Sequence, residues 1–276
     1  MAGKHFYESL ERENDYQLEY KKLEAICAEK YSPSGFGYDS VSINSWIERY
    51  FRKWKKRSNF CSFAELRKHL GFVSNYSEME YSFPYEDISL QKYILFSEMI
   101  LNLINELRFY RNPTLDSVVE DFENTVKATI AKAGMEIKRV NNEIMIVEQD
   151  AVSIHVADMV PALADVVIEY NHYLIRGNIE RKKYLLKQLA DSLEPKKKDL
   201  LSINKTVTND FFFLVNSMNI RHNNCDPSDE SKYNPKLTKM KKSEIEKWYD
   251  ITYDQGLALF VLLEQQERNQ LIAGLK

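Results

Sequence analysis

Residues 200–218 read LLSINKTVTNDFFFLVNSM, and this stretch decides the fold class. Its apolar side chains recur every three or four positions, as on one face of an α-helix: Leu200, Ile203, Val207, Phe211, Leu214, Val215 and Met218. Because Pro195 suits a first helical turn, we predict one long helix from Pro195 that stops at Asn223 and Asn224. With the helices predicted on either side, it indicates an antiparallel helix bundle.

Most of the remaining chain repeats this spacing. We predict further helices at about 5–30, 42–56, 60–70, 87–107, 115–133, 161–174, 179–193 and from Ser243 onward. Ser243 and Glu246 form a capping box (S-x-x-E) for the last helix, and Gly256 in its middle lets a neighbour approach closely. Residues 135–149 alternate instead around Asn141-Asn142, which predicts a β-hairpin. The expected fold is all-α, mainly helical, with one small hairpin near 135–149.

The composition excludes several classes of protein. The 276 residues carry a net charge of -3, so there is no global attraction for nucleic acid, and any RNA contact must be local or made by a dimer. The three cysteines form no CxxC pair, and the richest apolar run, FFFLV at 211–215, is far shorter than a membrane span. No P-loop, Rossmann or G-x-S-x-G motif appears. We predict a cytoplasmic protein without a membrane segment or small-molecule cofactor.

Two regions are expected along the chain. The stretch at 74–87, SNYSEMEYSFPYED, is polar, aromatic and contains proline, which is typical of a linker. The sequence therefore predicts an N-terminal helical region of unknown role at 1–84. A larger helical domain with the hairpin and the bundle would occupy 85–276.

The end of the predicted long helix, IRHNN at 220–224, is unusually polar. A cation in the last turn of a helix complements the helix dipole, and asparagine tolerates the left-handed conformation at a helix end. Arg221, Asn223 and Asn224 would therefore serve as plain helix termination. Arginine and histidine are also the residues that bind phosphate and transfer protons, so the same stretch is a candidate catalytic site.

A resemblance bears on this choice. The runs EYNHYLIRGN (169–178), LADSLEP (189–195), DFFFLVNSMNIRHNN (210–224) and EIEKWYDITYDQGLALFVLLE (244–264) resemble the C-terminal helical domain of bacterial abortive-infection proteins. That domain belongs to the HEPN class, and the resemblance covers roughly 165–268. It implies a helical bundle that dimerises. In many members it also implies metal-independent RNA cleavage by an arginine, a following polar residue and a histidine four to six positions beyond the arginine.

The motif is incomplete in this chain. Arg221 matches the motif arginine and His222 takes the polar position, but positions 225–227 hold Cys225, Asp226 and Pro227 instead of histidine. Aspartate is ionised near neutral pH and is a poor general acid unless its pKa is raised. Two interpretations stay open: the site is rebuilt around His222, or the domain has lost cleavage and keeps an RNA-binding or dimerising role. Under the first, Arg221 and His222 are the predicted catalytic residues, with His222 as the substitute proton carrier. Asn223, Asn224 and Asp226 are the predicted substrate-binding residues.

Two other stretches are weaker candidates. Glu169 and His172 form one E-x-x-H, but a di-iron bundle needs two such pairs and two further glutamates, so we predict no metal. FRKWKKR at 51–57 mixes basic and aromatic residues and would suit nucleic acid, although a solvated helix end has the same composition.

The sequence therefore predicts a bacterial defence, abortive-infection or toxin-type protein that is homodimeric and acts on or binds RNA. The alternative is a non-catalytic helical module for dimerisation or protein interaction, with a degenerate site. A nucleic-acid-binding protein that works through 42–57 is a third reading. A working site requires Arg221 and His222 to be accessible in one cleft.

Overall fold

The computed structural model describes residues 15–32, 40–72, 88–110 and 113–276. These residues are mainly helical with one antiparallel hairpin, which confirms the predicted fold class. They divide into two compact units, unit 1 up to Ile146 and unit 2 from Val147 to Lys276. The linker predicted at 74–87 and the boundary predicted after residue 84 lie outside the described residues.

Unit 1 packs helices around an aromatic core. Its elements are α1 (Tyr16–Ala28), α2 (Ile43–Tyr50), α3 (Phe63–His69), α4 (Leu90–Glu106), α5 (Asp116–Ala131) and the strands β1 (Met135–Val140) and β2 (Glu143–Glu148), the last of which crosses the unit boundary. In the core, the ring of Phe96 meets the edges of Tyr20 at 4.8 Å and Phe72 at 5.2 Å. Such tilted contacts suit the charge distribution of aromatic rings.

The hairpin forms where the alternating sequence predicted it. Asn141 and Asn142 have φ angles of 48° and 67°, the left-handed values that a two-residue hairpin turn requires. Asn102 of α4 bonds both backbone groups of Ile144 at 2.8 Å, with its amide nitrogen as donor to the carbonyl and its oxygen as acceptor of the N–H. These bonds fix the hairpin on α4.

Unit 2 is the predicted helix bundle. Its helices are α6 (Ala151–Met159), α7 (Ala164–Tyr170), α8 (Ile179–Leu193), α9 (Lys197–Ile203), α10 (Lys205–Ser217) and α11 (Lys242–Ala273). α11 contacts α6, α8, α9 and α10. A Cβ atom on Gly256 would lie 2.6 Å from Cδ2 of Leu189 and 3.1 Å from Cε2 of Phe211, so the predicted close approach at this glycine is confirmed.

No single helix among the described residues is long and apolar enough to cross a bilayer. Ala151–Met159 and Pro161–Tyr170 reach that length and apolarity only as a pair, which is bent by 120° at the junction. Val156, Leu163 and Val167 of this pair are buried in the core of unit 2.

Four features of the predicted helices are wrong. The helix expected from Pro195 to Asn223 is interrupted at Asn204, whose extended backbone separates α9 from α10 and whose side chain caps α10 through the N–H of Val207. α10 then ends at Ser217, so IRHNN lies beyond the helix. α11 begins at Lys242, one residue before the predicted cap at Ser243. The side chain of Glu244, rather than that of Glu246, accepts the backbone N–H of Lys241 at the start of α11. α2 ends at Tyr50, so FRKWKKR follows α2.

Candidate functional site

The IRHNN turn (Ile220–Asn224) follows α10 in unit 2. Asn219 starts it with a φ of 60°, a left-handed conformation that asparagine tolerates better than most residues. The N–H of Arg221 then donates to the carbonyl of Val215 at 3.1 Å and satisfies one of the carbonyls left unpaired at the helix end. The helix is therefore terminated by Asn219 and by the backbone of Arg221, whereas the sequence had assigned this role to the Arg221 side chain, Asn223 and Asn224.

Asn224 is the structural centre of the turn. It is only 2% exposed, and its side-chain oxygen accepts the N–H of Asn219 at 2.8 Å. Its amide nitrogen donates to the carbonyl of Lys232 at 2.6 Å. Its own N–H donates to the side-chain oxygen of Asn219 at 3.2 Å. Both polar atoms of the Asn224 side chain, which the sequence predicted to bind substrate, are therefore used in bonds within the turn and its surroundings.

Arg221 bridges two carboxylates. One terminal nitrogen of its guanidinium donates to Oε2 of Glu194 at 2.7 Å, and the other to Oδ1 of Asp191 at 3.3 Å. The side chain of Arg221 is 20% exposed, whereas those of Asp191 and Glu194 are 54% and 45% exposed. Because exposed ion pairs contribute only about 0–1 kcal/mol, an anionic ligand could compete for the guanidinium.

The other predicted site residues differ in their surroundings. His222 is half-buried beside Arg221, and Asn223 is exposed, with its side-chain oxygen 3.4 Å from the N–H of Cys225. Asp226 accepts the hydroxyl of Ser228 at 2.7 Å and the N–H of Ser228 at 2.9 Å. These hydrogen bonds lower the pKa of Asp226. A carboxylate so stabilised is a hydrogen-bond acceptor and a poor proton donor.

A cavity of about 580 Å³ adjoins the turn and is called the turn cavity below. Asn219 and Cys225, which flank the IRHNN turn, both line it, and so do Arg176, Asn178, Lys242 and Tyr249. Its volume falls within the roughly 300–1,000 Å³ typical of small-molecule sites. Sequence reasoning missed Arg176 and Lys242, because their proximity depends on the packing of unit 2 and on no local spacing.

A second cavity in unit 2, of about 530 Å³, contains a buried ion-pair cluster. Lys182 is 5% exposed and contacts Glu246 and Asp250 at 2.8 Å each. The hydroxyl of Tyr170 also donates to Asp250, at 3.0 Å, and the ring of Tyr170 stacks on that of Tyr253 at 3.9 Å. The cluster connects α8 to α11 and uses Glu246, which the sequence assigned to a helix cap.

The carboxylate of the E-x-x-H pair is already engaged. Glu169 accepts two hydrogen bonds from the guanidinium of Arg181, and His172 forms a backbone β-bridge with Val147. Within residues 15–32, 40–72, 88–110 and 113–276, no group of three or more His, Cys, Asp or Glu side chains is arranged to hold a metal ion.

Comparisons with protein-family models, with curated proteins and with solved structures find no match to this chain.

Proposed function

We propose that unit 2 is a HEPN-like RNA-binding module of a bacterial defence protein, of abortive-infection or toxin type, and that Arg221 and His222 form its RNA site. One observation carries the proposal. Arg221 and His222 are consecutive, partly exposed residues of an ordered turn that Asn224 anchors, and the turn cavity is lined by Asn219 and Cys225, which flank that turn. A guanidinium and an imidazole are the groups that phosphate binding and proton transfer require.

Metal-independent cleavage of RNA is the activity we assign to this site. The 2′-hydroxyl attacks the adjacent phosphorus, a base takes the hydroxyl proton, and an acid protonates the 5′-oxygen that leaves. These two proton transfers need two titratable groups. His222 supplies one group per protomer and Asp226 is held ionised, so the second group would be His222 of another copy. A homodimer is therefore part of the proposal.

The carboxylates of Asp191 and Glu194 supply a test that separates a phosphate-binding arginine from a structural one. If RNA phosphate binds Arg221, these carboxylates compete with it and repel it. Asp191→Asn combined with Glu194→Gln should then raise RNA affinity several-fold. If Arg221 only stabilises the fold, the same change should lower the free energy of unfolding and leave RNA affinity unchanged.

The deciding experiment measures cleavage of single-stranded RNA in the presence of a chelator. It compares the wild type with Arg221→Ala and His222→Ala at equal folded fraction. Arg268→Ala and His69→Ala are matched controls, since both side chains are exposed and distant in sequence from the turn. Loss of cleavage in the two site variants alone supports the proposal. An inactive wild type that is shown to be dimeric refutes cleavage, and a loss of the same size in the controls refutes the assignment to the turn.

A second candidate is a non-catalytic module for dimerisation or protein interaction. It is favoured by the two carboxylates on Arg221 and by the burial of Asn224, which together give the turn a complete structural role. Under this reading Arg221→Ala lowers the stability of unit 2, and the wild type neither binds nor cleaves RNA.

A further inference from the structure

Unit 1 carries a concentrated basic stretch that the proposed site does not use. Residues 49–57 read RYFRKWKKR, with six basic residues, three aromatic residues and no acidic one. Lys56 pairs with Glu106 at 3.2 Å and with Glu143 at 2.8 Å, and Arg57 donates to the carbonyl of Trp54. The other four basic side chains are exposed and form no ion pair within the described part of the chain: Arg49, Arg52, Lys53 and Lys55.

The fold places exposed aromatic rings beside this stretch. The ring of Tyr50, at the end of α2, stacks on that of Tyr110 with centroids 5.0 Å apart and an angle of 18° between the planes. The indole N–H of Trp46 donates to the carbonyl of Tyr110 at 2.9 Å. Tyr110 is 42% exposed and its neighbour Phe109 is 84% exposed. A ring as exposed as that of Phe109 contributes no apolar burial to the core of unit 1.

Several bonds hold these groups in place. Arg108 lies over the ring of Phe109, with its guanidinium carbon 5.2 Å from the centroid, and donates to the side chain of Asn142 at 3.4 Å. Asn105 donates to the carbonyl of Asn142 at 2.7 Å. The short helix Arg108–Tyr110 is thus fixed to the hairpin turn on one side and to α2 on the other. Residues 49–55 and 108–110 together form what we call the basic-aromatic surface.

We propose that the basic-aromatic surface binds single-stranded nucleic acid without strong sequence preference. The unpaired cations of 49–55 would contact successive phosphates, and Phe109 and Tyr110 would stack on bases that a duplex would keep covered. Proteins that bind single strands combine a basic path for the backbone with such stacking rings. The two stacked tyrosines favour a base over a lipid chain, because stacking rewards a flat partner and a bilayer rewards inserted apolar volume. This inference is independent of Arg221 and of cleavage.

The test uses the full chain and a fluorescein-labelled deoxythymidine oligomer of about 12 nucleotides, a length suited to one single-strand site. This probe lacks the 2′-hydroxyl, so the proposed cleavage cannot consume it. Fluorescence anisotropy at increasing salt should show affinity that falls as salt rises. A uridine oligomer of equal length, methylated on its 2′-oxygens so that it also resists cleavage, distinguishes RNA from DNA as the preferred strand.

Two variants test the basic side chains and the aromatic ring of the surface separately. Arg52→Gln with Lys53→Gln should weaken binding about tenfold and reduce the salt slope by about 1.4, which is 0.7 for each lost phosphate contact. Phe109→Ala should weaken binding at least about fivefold with an unchanged salt slope, because stacking is not ionic. Lys127→Gln with Lys132→Gln, called the α5 control, removes the same charge from exposed positions in the last turns of α5 and directly after it, and should weaken binding much less.

Three results would overturn the proposal. The first is no binding of either oligomer by folded protein at low salt. The second is an equal loss of affinity in the α5 control and in Arg52→Gln with Lys53→Gln. The third is binding to vesicles that contain phosphatidylserine, sensitive to the same substitutions, without binding to the oligomers; this result would make the surface a membrane contact.

Discussion

Asn219 and Asn224 bond each other reciprocally across the turn that carries Arg221 and His222. The side-chain oxygen of Asn224 accepts the N–H of Asn219 at 2.8 Å, and the side-chain oxygen of Asn219 accepts the N–H of Asn224 at 3.2 Å. Asn219 also has a φ of 60°. The two asparagines thus fix the conformation of the turn that carries Arg221 and His222.

Asn224→Ala should destabilise the protein by about 1–3 kcal/mol, since it leaves the N–H of Asn219 and the carbonyl of Lys232 without a partner in a buried place. Asn223→Ala, at an exposed position one residue away, should change stability by less than about 0.5 kcal/mol. Denaturant unfolding monitored by circular dichroism measures both. Equal stability of the two variants, with RNA binding lost only in Asn224→Ala, would instead make Asn224 a ligand-contacting residue.

The site shows where sequence reasoning works and where it stops. Composition indicated that a helix ends near IRHNN, because cations and asparagines favour that position, but it placed the end several residues too late, since α10 stops at Ser217. The carboxylates of Asp191 and Glu194 that bond Arg221 come from the end of α8 and the residue after it, and no spacing around Arg221 predicts them. Local patterns report on neighbours in the chain, whereas the charge environment of a side chain depends on packing.

The fold was more predictable than the site. Its errors fall where a single polar residue interrupts or ends a helix. The apolar spacing of 200–218 spans both α9 and α10 in one register, so it could not reveal the interruption. Asn204 decides that point, since its side chain caps the next helix in place of a continued helical turn. The hairpin was predictable because Asn141 and Asn142 specify a turn of one kind.

Gly256→Ala should destabilise unit 2 by about 1–3 kcal/mol. The added Cβ atom would overlap Leu189, which is fully buried in α8 and cannot move away freely, and this overpacking outweighs the gain in helix propensity. Gly274→Ala is the control, because its Cβ atom would lie 3.5 Å from the nearest atom, an ordinary contact. Thermal unfolding checks both variants. An unchanged midpoint in Gly256→Ala would show that α8 and α11 can separate slightly at no cost.

Glu246 should make stability depend on pH in the acid range. Burial alone would raise the pKa of Glu246, but the N–H of Gly177 and the ammonium of Lys182 outweigh burial and lower it below its ordinary 4.5. A pKa lowered by folding stabilises the protein above about pH 4.5, and this contribution is lost as pH falls through the folded-state value.

Glu246→Gln should therefore cost about 1 kcal/mol at pH 7, and the difference from the wild type should shrink as pH falls below 4.5. Urea unfolding at pH 7, 5 and 3.5 measures it. Glu267→Gln, at an exposed position of α11, should show no such pH-dependent difference. A difference between Glu246→Gln and wild type that is constant across this range would mean that the Lys182 contact does not depend on the charge of Glu246.

The three thiols should react at very different rates with a disulfide reagent at pH 8. Cys27 is fully buried in α1, and burial raises the pKa of its thiol, so both access and the reactive thiolate form are lacking. Cys61 and Cys225 are exposed. The folded protein should therefore show two fast thiols, and the third should react only after unfolding. Cys61→Ser and Cys225→Ser should each remove one fast thiol, while Cys27→Ser should leave the fast count at two. Three fast thiols in the native protein would mean that α1 opens without global unfolding.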